Sequence, residues 1–122
     1  MKLSANAAVV KGKRIVLIDD SLVRGTTSRR IVHLLREAGA AAVHMRIASP
    51  AILHPCFYGV DISVREELIA GRLSCEEVRN YIGADSLRFL TVKDLIDVYE
   101  SSEFCFACFN GRYVAGALSM RE

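Results

Sequence analysis

The stretch Arg14 to Arg30, RIVLIDDSLVRGTTSRR, leaves a chain like this the fewest options. Ile15 to Ile18 is a short aliphatic run flanked by charge. It suits a central parallel strand buried on both faces. The run stops at two adjacent carboxylates, Asp19 and Asp20. A loop with one glycine and three hydroxyls follows, and then a segment of helical period. Its apolar positions are Ile31, Leu34, Leu35 and Ala38, with Thr27 or Ser28 as cap and Gly39 where the helix should stop. AAVHMRIAS then reads as a second strand. Strand, helix, strand is a βαβ unit with an expected right-handed crossover.

That order fixes where chemistry can sit. In open α/β sheets ligands bind beyond the carboxyl ends of the strands. Two neighbouring carboxylates repel, and nothing about packing calls for both. They suit a sugar diol as acceptors, or a magnesium ion. The next residues have the opposite polarity. Gly25 lets backbone approach closely, the hydroxyls of Thr26, Thr27 and Ser28 donate, and the helix that starts here has its positive end at the loop. Acceptors for a sugar beside an amide nest for a phosphate describe a ribose-5-phosphate site. Each piece alone is common as a helix cap or turn. The whole string in strand–loop–helix order is not.

Beyond Pro50 the pattern loosens. PAILHPCFYGVDI reads as loop, with Asp61 as a cap for the helix after it. VREELIAG reads as a short helix closed by Gly71. SCEEVRNYIG carries Ser74 and Glu77 at capping-box spacing and closes at Gly83. SLRFL is a strand candidate. TVKDLIDVYE is an amphipathic helix with Val92, Leu95, Ile96 and Tyr99 on one side. The tail holds a CxxC, an Asn-Gly turn and a candidate terminal strand. The elements add up to an α/β fold, a parallel sheet flanked by helices.

Composition excludes several classes. A net charge of +2 with no basic run gives no argument for nucleic acid. No apolar stretch approaches the roughly 20 residues of a membrane span. MKLSANAAVV lacks the apolar core of an export signal, so a cytoplasmic protein is expected. In that setting the 4 cysteines point to free thiols or a metal site rather than disulfides. Cys105 and Cys108 form a CxxC among Phe104, Phe106 and Phe109, and Cys56 lies in the HPCFYG loop. The spacing lets two thiolates reach one metal centre, and the apolar setting suits a shielded cluster better than an exchanging dithiol. Buried free cysteines remain the other reading. His33, His44 and His54 read as non-catalytic, and Lys2, Lys11 and Lys13 as surface charge. Arg24 either pairs with a phosphate or is solvated.

VLIDDSLVRGTTS resembles the phosphoribosyl pyrophosphate (PRPP) motif of type I phosphoribosyltransferases, in the form found in amidophosphoribosyltransferases. KLSANAAVVKGKRIVLIDDS, HPCFYGVDI, EELIA, EEVRNYIGADSL and CFACFNGRY also resemble successive segments of that family, so the resemblance covers almost the whole chain. It implies a partial type I phosphoribosyltransferase fold. Residues 1–100 would be the C-terminal part of that domain and 101–122 a cysteine-bearing tail packed on it. The implied reaction forms phosphoribosylamine, pyrophosphate and glutamate from PRPP and glutamine, the first step of de novo purine synthesis. Asp19 and Asp20 would hold the ribose hydroxyls and Mg²⁺. Arg24, Gly25, Thr26, Thr27 and Ser28 would clamp the 5-phosphate. Purine-base relatives usually carry an aspartate where Val23 stands; ammonia has no ring nitrogen to be served, so an apolar residue is tolerated.

The iron–sulfur form of the family carries a [4Fe–4S] cluster. Cys56, Cys105 and Cys108 match three ligand places, the fourth lies outside this chain, and Cys75 matches none and is structural. The resemblance further implies a homo-oligomer fed with ammonia by a glutaminase domain that is absent here. Two other readings stand beside it: a non-catalytic PRPP-sensing module of the same fold, and a small iron–sulfur protein.

Overall fold

The protein is described from a computed structural model that covers residues 6–56, 58, 65–101 and 103–113. The expected cap at Asp61, the terminal strand after Tyr113, and Lys2 lie outside the described residues. A single helical turn, α1 (Ala7–Val10), precedes β1 (Arg14–Asp19), α2 (Thr26–Glu37) and β2 (Ala42–Ile47). A 3-10 turn (Arg65–Glu67) leads into α3 (Ile69–Arg72), α4 (Cys75–Ile82), β3 (Ser86–Phe89), α5 (Val92–Tyr99) and α6 (Ala107–Asn110). Among the described residues the strands form one sheet in the order β1-β2-β3, parallel throughout. This is the α/β architecture the alternation of elements implies.

The pairing register decides which face is core. Ile15, Leu17 and Asp19 of β1 stand beside Val43, Met45 and Ile47 of β2, and Leu87 stands beside Met45. Val43, Met45, Ile47 and Leu87 are buried against Val32 of α2 and Val78 and Ile82 of α4. Fully burying one such side chain contributes about 1.5–3 kcal/mol. Asp85 pins the edge of this layer. Its Oδ2 accepts the Val43 amide at 2.7 Å and Arg36 Nη2 at 3.0 Å, and Arg36 also donates to the Gly83 carbonyl. The Val43 N–H and then the Arg36 guanidinium hold the Asp85 carboxyl below its ordinary range. The end of α2, the end of α4 and the start of β2 thus meet at one carboxylate.

Several elements depart from expectation. β1 is an edge strand among the described residues, and only one of its faces is covered: Val16 is 59 % and Ile18 72 % exposed. An aliphatic run implies burial on both faces only when layers exist on both sides, and among the described residues α2 and α4 cover the face that holds Val43, Met45 and Ile47. The expected VREELIAG helix splits into the 3-10 turn and α3, and Gly71 lies inside α3 rather than closing it. The predicted capping box of α4 is present, with Ser74 and Glu77 each accepting the other's amide. Thr91 and Asp94 make a second box at α5. That helix has no buried residue, and Tyr99, expected on its apolar side, is exposed. The expected Asn-Gly turn takes the form of a helix end, with Asn110 the last residue of α6 and Gly111 its left-handed C-cap. Among the described residues no helix is long and apolar enough to cross a membrane.

Candidate functional site

β1 ends at Asp19, and α2 begins only seven residues later at Thr26. The expected side-chain caps, Thr27 or Ser28, do not form: the N-cap is Gly25, left-handed at φ +81°, and no side chain caps the helix. The physical reason is the αL turn at Gly25, which brings the chain into the helix two residues before a Thr27 cap would and three before a Ser28 cap would. It leaves the first amides of a 12-residue helix facing the loop without a side-chain acceptor. A cavity of about 260 Å³ lies there, lined by Asp19, Ser21, Leu22, Val23 and the run Arg24 to Ser28.

Asp19 accepts the Asp20 amide on Oδ1 at 2.8 Å, and the exposed Asp20 accepts the Ser21 hydroxyl at 3.3 Å. Among the described residues no ion pair engages either carboxylate. Both therefore keep acceptor capacity for a diol or a cation. Asp19 lines the cavity together with the whole expected loop, whereas Asp20 stands outside its lining.

The loop is backed by residues that no sequence motif singles out. A Cβ on Gly25 would stand 3.2 Å from Ile69 Cδ1 and 3.4 Å from Tyr81 Cε1. The Ile69 amide donates to the Val23 carbonyl at 3.0 Å. Arg24 donates to Glu67 at 2.6 Å. The only local signal for this backing was the EELIA segment, and its use is tertiary. A larger open groove of about 640 Å³ lies between α2 and α4, where Arg29 stacks over Tyr81, away from the carboxylates.

The cysteines lie on the other side of Val23. Val23, Cys56, Cys108 and Phe109 pack around the buried Ile52 and Leu68. The Leu53 and His54 amides both donate to the Cys108 carbonyl, at 2.9 and 3.0 Å. Tyr113 Oη donates to the Pro55 carbonyl at 2.7 Å. Burial first, and then the neighbouring Cys56 and Cys105, push the Cys108 thiol up. All four cysteines are free, with Cys75 and Cys105 exposed. Cys75 opens α4, its thiol 3.6 Å from the Leu87 carbonyl. Among the described residues no three His, Cys, Asp or Glu side chains converge closely enough to hold a metal ion.

The histidines stand apart from the cavity lining. His33 pairs with Glu37 on the exposed face of α2, and His44 Nδ1 contacts Ser86 Oγ at 2.7 Å across the sheet. His54 presents its ring to Gly111.

No family model matches the chain. It is similar to amidophosphoribosyltransferases: 59% identical to that of Bacillus subtilis over 93% of this chain and 25% of the relative. The chloroplastic amidophosphoribosyltransferase 2 of Arabidopsis thaliana is 56% identical over 93% of this chain and 20% of its own length. The enzyme of Methanocaldococcus jannaschii is 48% identical over 93% of this chain and 24% of its own. The chain thus spans about a quarter of the length of the curated relatives it matches. Among solved structures it superposes on the glutamine PRPP amidotransferase of B. subtilis complexed with ADP and GMP. That match has a TM-score of 0.84 at 59% identity, covering 93% of this chain and 26% of that one. An allosteric regulatory enzyme of purine biosynthesis gives a TM-score of 0.85 at 56% identity, over the same shares of the two chains.

Proposed function

We propose that this chain carries the ribose-phosphate half of an amidophosphoribosyltransferase site. The observation that carries the reading is the cavity where Asp19 meets a glycine-capped helix with open amides. The 5-phosphate of PRPP seats on the loop Arg24 to Ser28, which fixes the reacting carbon. Asp19 lines this cavity and Asp20 follows it at the strand end. Together they accept from the ribose hydroxyls and stabilise the positive charge that grows on the sugar as pyrophosphate leaves. Mg²⁺ suits this pair: two carboxylates without a protein counter-ion among the described residues, at a strand end open to solvent. When bound it supplies charge neutralisation for the phosphates. Ammonia is the nucleophile, and a glutaminase domain of the longer protein supplies it from glutamine. Val23 fits that chemistry, since it packs with Ile52 and Leu68 and offers no proton relay.

Cys56, Cys105 and Cys108 have the donor chemistry of a [4Fe–4S] cluster, and they lie near enough for Cys56 and Cys105 to disfavour the Cys108 thiolate. Among the described residues these donors do not converge into a metal site by themselves. Our reading is a structural cluster completed by a fourth ligand from outside this chain, tying the tail to the Ile52–Cys56 loop. No step of the reaction passes through it. The assembled protein is read as a cytoplasmic homo-oligomer.

Calorimetric titration with PRPP tests the reading, with and without Mg²⁺, on the wild type, Asp19→Asn and Asp20→Asn. Removing a charged acceptor should weaken Mg²⁺-dependent binding by about tenfold or more. Equal affinity in all three proteins sinks the assignment.

A further inference from the structure

The cavity loop is gripped from behind at three consecutive positions. The Val23 carbonyl accepts the Ile69 amide at 3.0 Å. Arg24 lines the cavity, yet its Nη2 donates to Glu67 Oε2 at 2.6 Å, across 43 residues of sequence. Gly25 has its missing Cβ position 3.2 Å from Ile69 Cδ1. One short segment, Glu67 to Ile69, therefore touches Val23, Arg24 and Gly25 in turn.

Stability does not account for the ion pair. Both side chains are about half exposed, at 50% and 44%, and pairs of that kind add little to a fold. Its local consequences are larger. The pair selects one rotamer of a long, flexible side chain beside the cavity. It also neutralises a carboxylate held 2.6 Å from a side chain of the cavity lining. Loop amides act on a phosphate only if they are held in place before it arrives.

We propose that Glu67 is a positioning residue for this loop: through Arg24, and with the Ile69 amide on Val23, it keeps the first amides of α2 aimed into the cavity. The inference rests on the phosphate reading above for its ligand, but the bracing itself can be observed without one.

The experiment uses the 122-residue chain as wild type, Arg24→Ala, Glu67→Ala, the double variant, and the charge swap Arg24→Glu with Glu67→Arg. Hydrogen exchange reads Ile69 and the Val23–Ser28 amides without ligand, and calorimetry reads PRPP with Mg²⁺. Each single variant should speed loop exchange and weaken PRPP by about two- to five-fold, the scale of an exposed pair. Global unfolding should be little changed. The double variant should be no weaker than the worse single, and the swap should restore part of the protection. Tighter PRPP binding by Glu67→Ala overturns the proposal, because Arg24 would then be a phosphate ligand that Glu67 withholds. Additive losses in the double variant, or unchanged exchange, overturn it as well. Faster exchange in a chain that does not bind PRPP supports the bracing and removes the phosphate reading instead.

Discussion

The loop before α2 and the cysteine segment meet at Val23, and both end in a left-handed glycine at a helix terminus. Gly25 opens α2 at φ +81°, and Gly111 closes α6 at φ +75°. Their surroundings differ. The loop joins a six-residue strand to a 12-residue helix and is backed by Glu67, Ile69 and Tyr81. The cysteine segment brings together residues about fifty positions apart through the Cys108 carbonyl, the Tyr113 hydroxyl and a small apolar cluster. One region is braced by the fold, while among the described residues the other brings no three metal-donor side chains together. A site built into a βαβ unit is preorganised by the fold, while one built between loops has to be completed by what it binds.

Four measurements sharpen or break that contrast, the largest effect first. Gly25→Ala adds the left-handed penalty of about 1–2 kcal/mol and a contact with Ile69. We expect a lower urea midpoint and PRPP binding weakened by about tenfold. An unchanged affinity would mean that the loop is not preorganised. Gly111→Ala places its Cβ 3.0 Å from His54 Nε2. Its effect should be local: Cys108 alkylates about tenfold faster through opening of the tail, while the midpoint moves less than for Gly25→Ala. Equal midpoint shifts would show one cooperative unit instead of two.

Acid and alkali should separate the regions as well. The Asp85 carboxyl is lowered by the Val43 amide and Arg36. Its contribution is present above the ordinary carboxylate value and is lost as pH falls below about 4. Asp85→Ala should cost about 1 kcal/mol at neutral pH and flatten the acid limb of a stability–pH curve. A steep limb in that variant assigns the acid sensitivity elsewhere. The Cys108 thiol is raised by burial, Cys56 and Cys105. Its contribution is present below about pH 8.5 and is lost as pH rises through the folded value. The smallest effect is therefore kinetic: at pH 8 Cys105 and Cys75 alkylate before Cys108, as peptide mass spectrometry would show. Reaction of Cys108 at the rate of Cys105 contradicts the shielding.

Where the sequence could be read, it was read through local rules. The α4 box is set by side chains three residues apart. The strand, loop and helix around Asp19 follow from residue order alone, and so does the presence of Arg24 to Ser28 around one cavity. The departures have different causes, one tertiary and one local. Ile15 to Ile18 reads as doubly buried because hydropathy carries no count of layers, yet Val16 and Ile18 are exposed. Thr27 and Ser28 have cap chemistry, but an αL glycine reached the helix end first. Asp61 and the last strand lie outside the described residues.

By itself the sequence determined the parallel α/β order, the α4 capping box and the coincidence of acids, glycine and hydroxyls at one strand end. All of these depend on periodicity and contacts a few residues long. Only the tertiary structure decided that Arg24 answers to Glu67, that Ile69 and Tyr81 stand behind Gly25, and that Val23 shares its cluster with Cys56 and Cys108. Those pairings join residues tens of positions apart, and their partners are selected by how the layers close on one another.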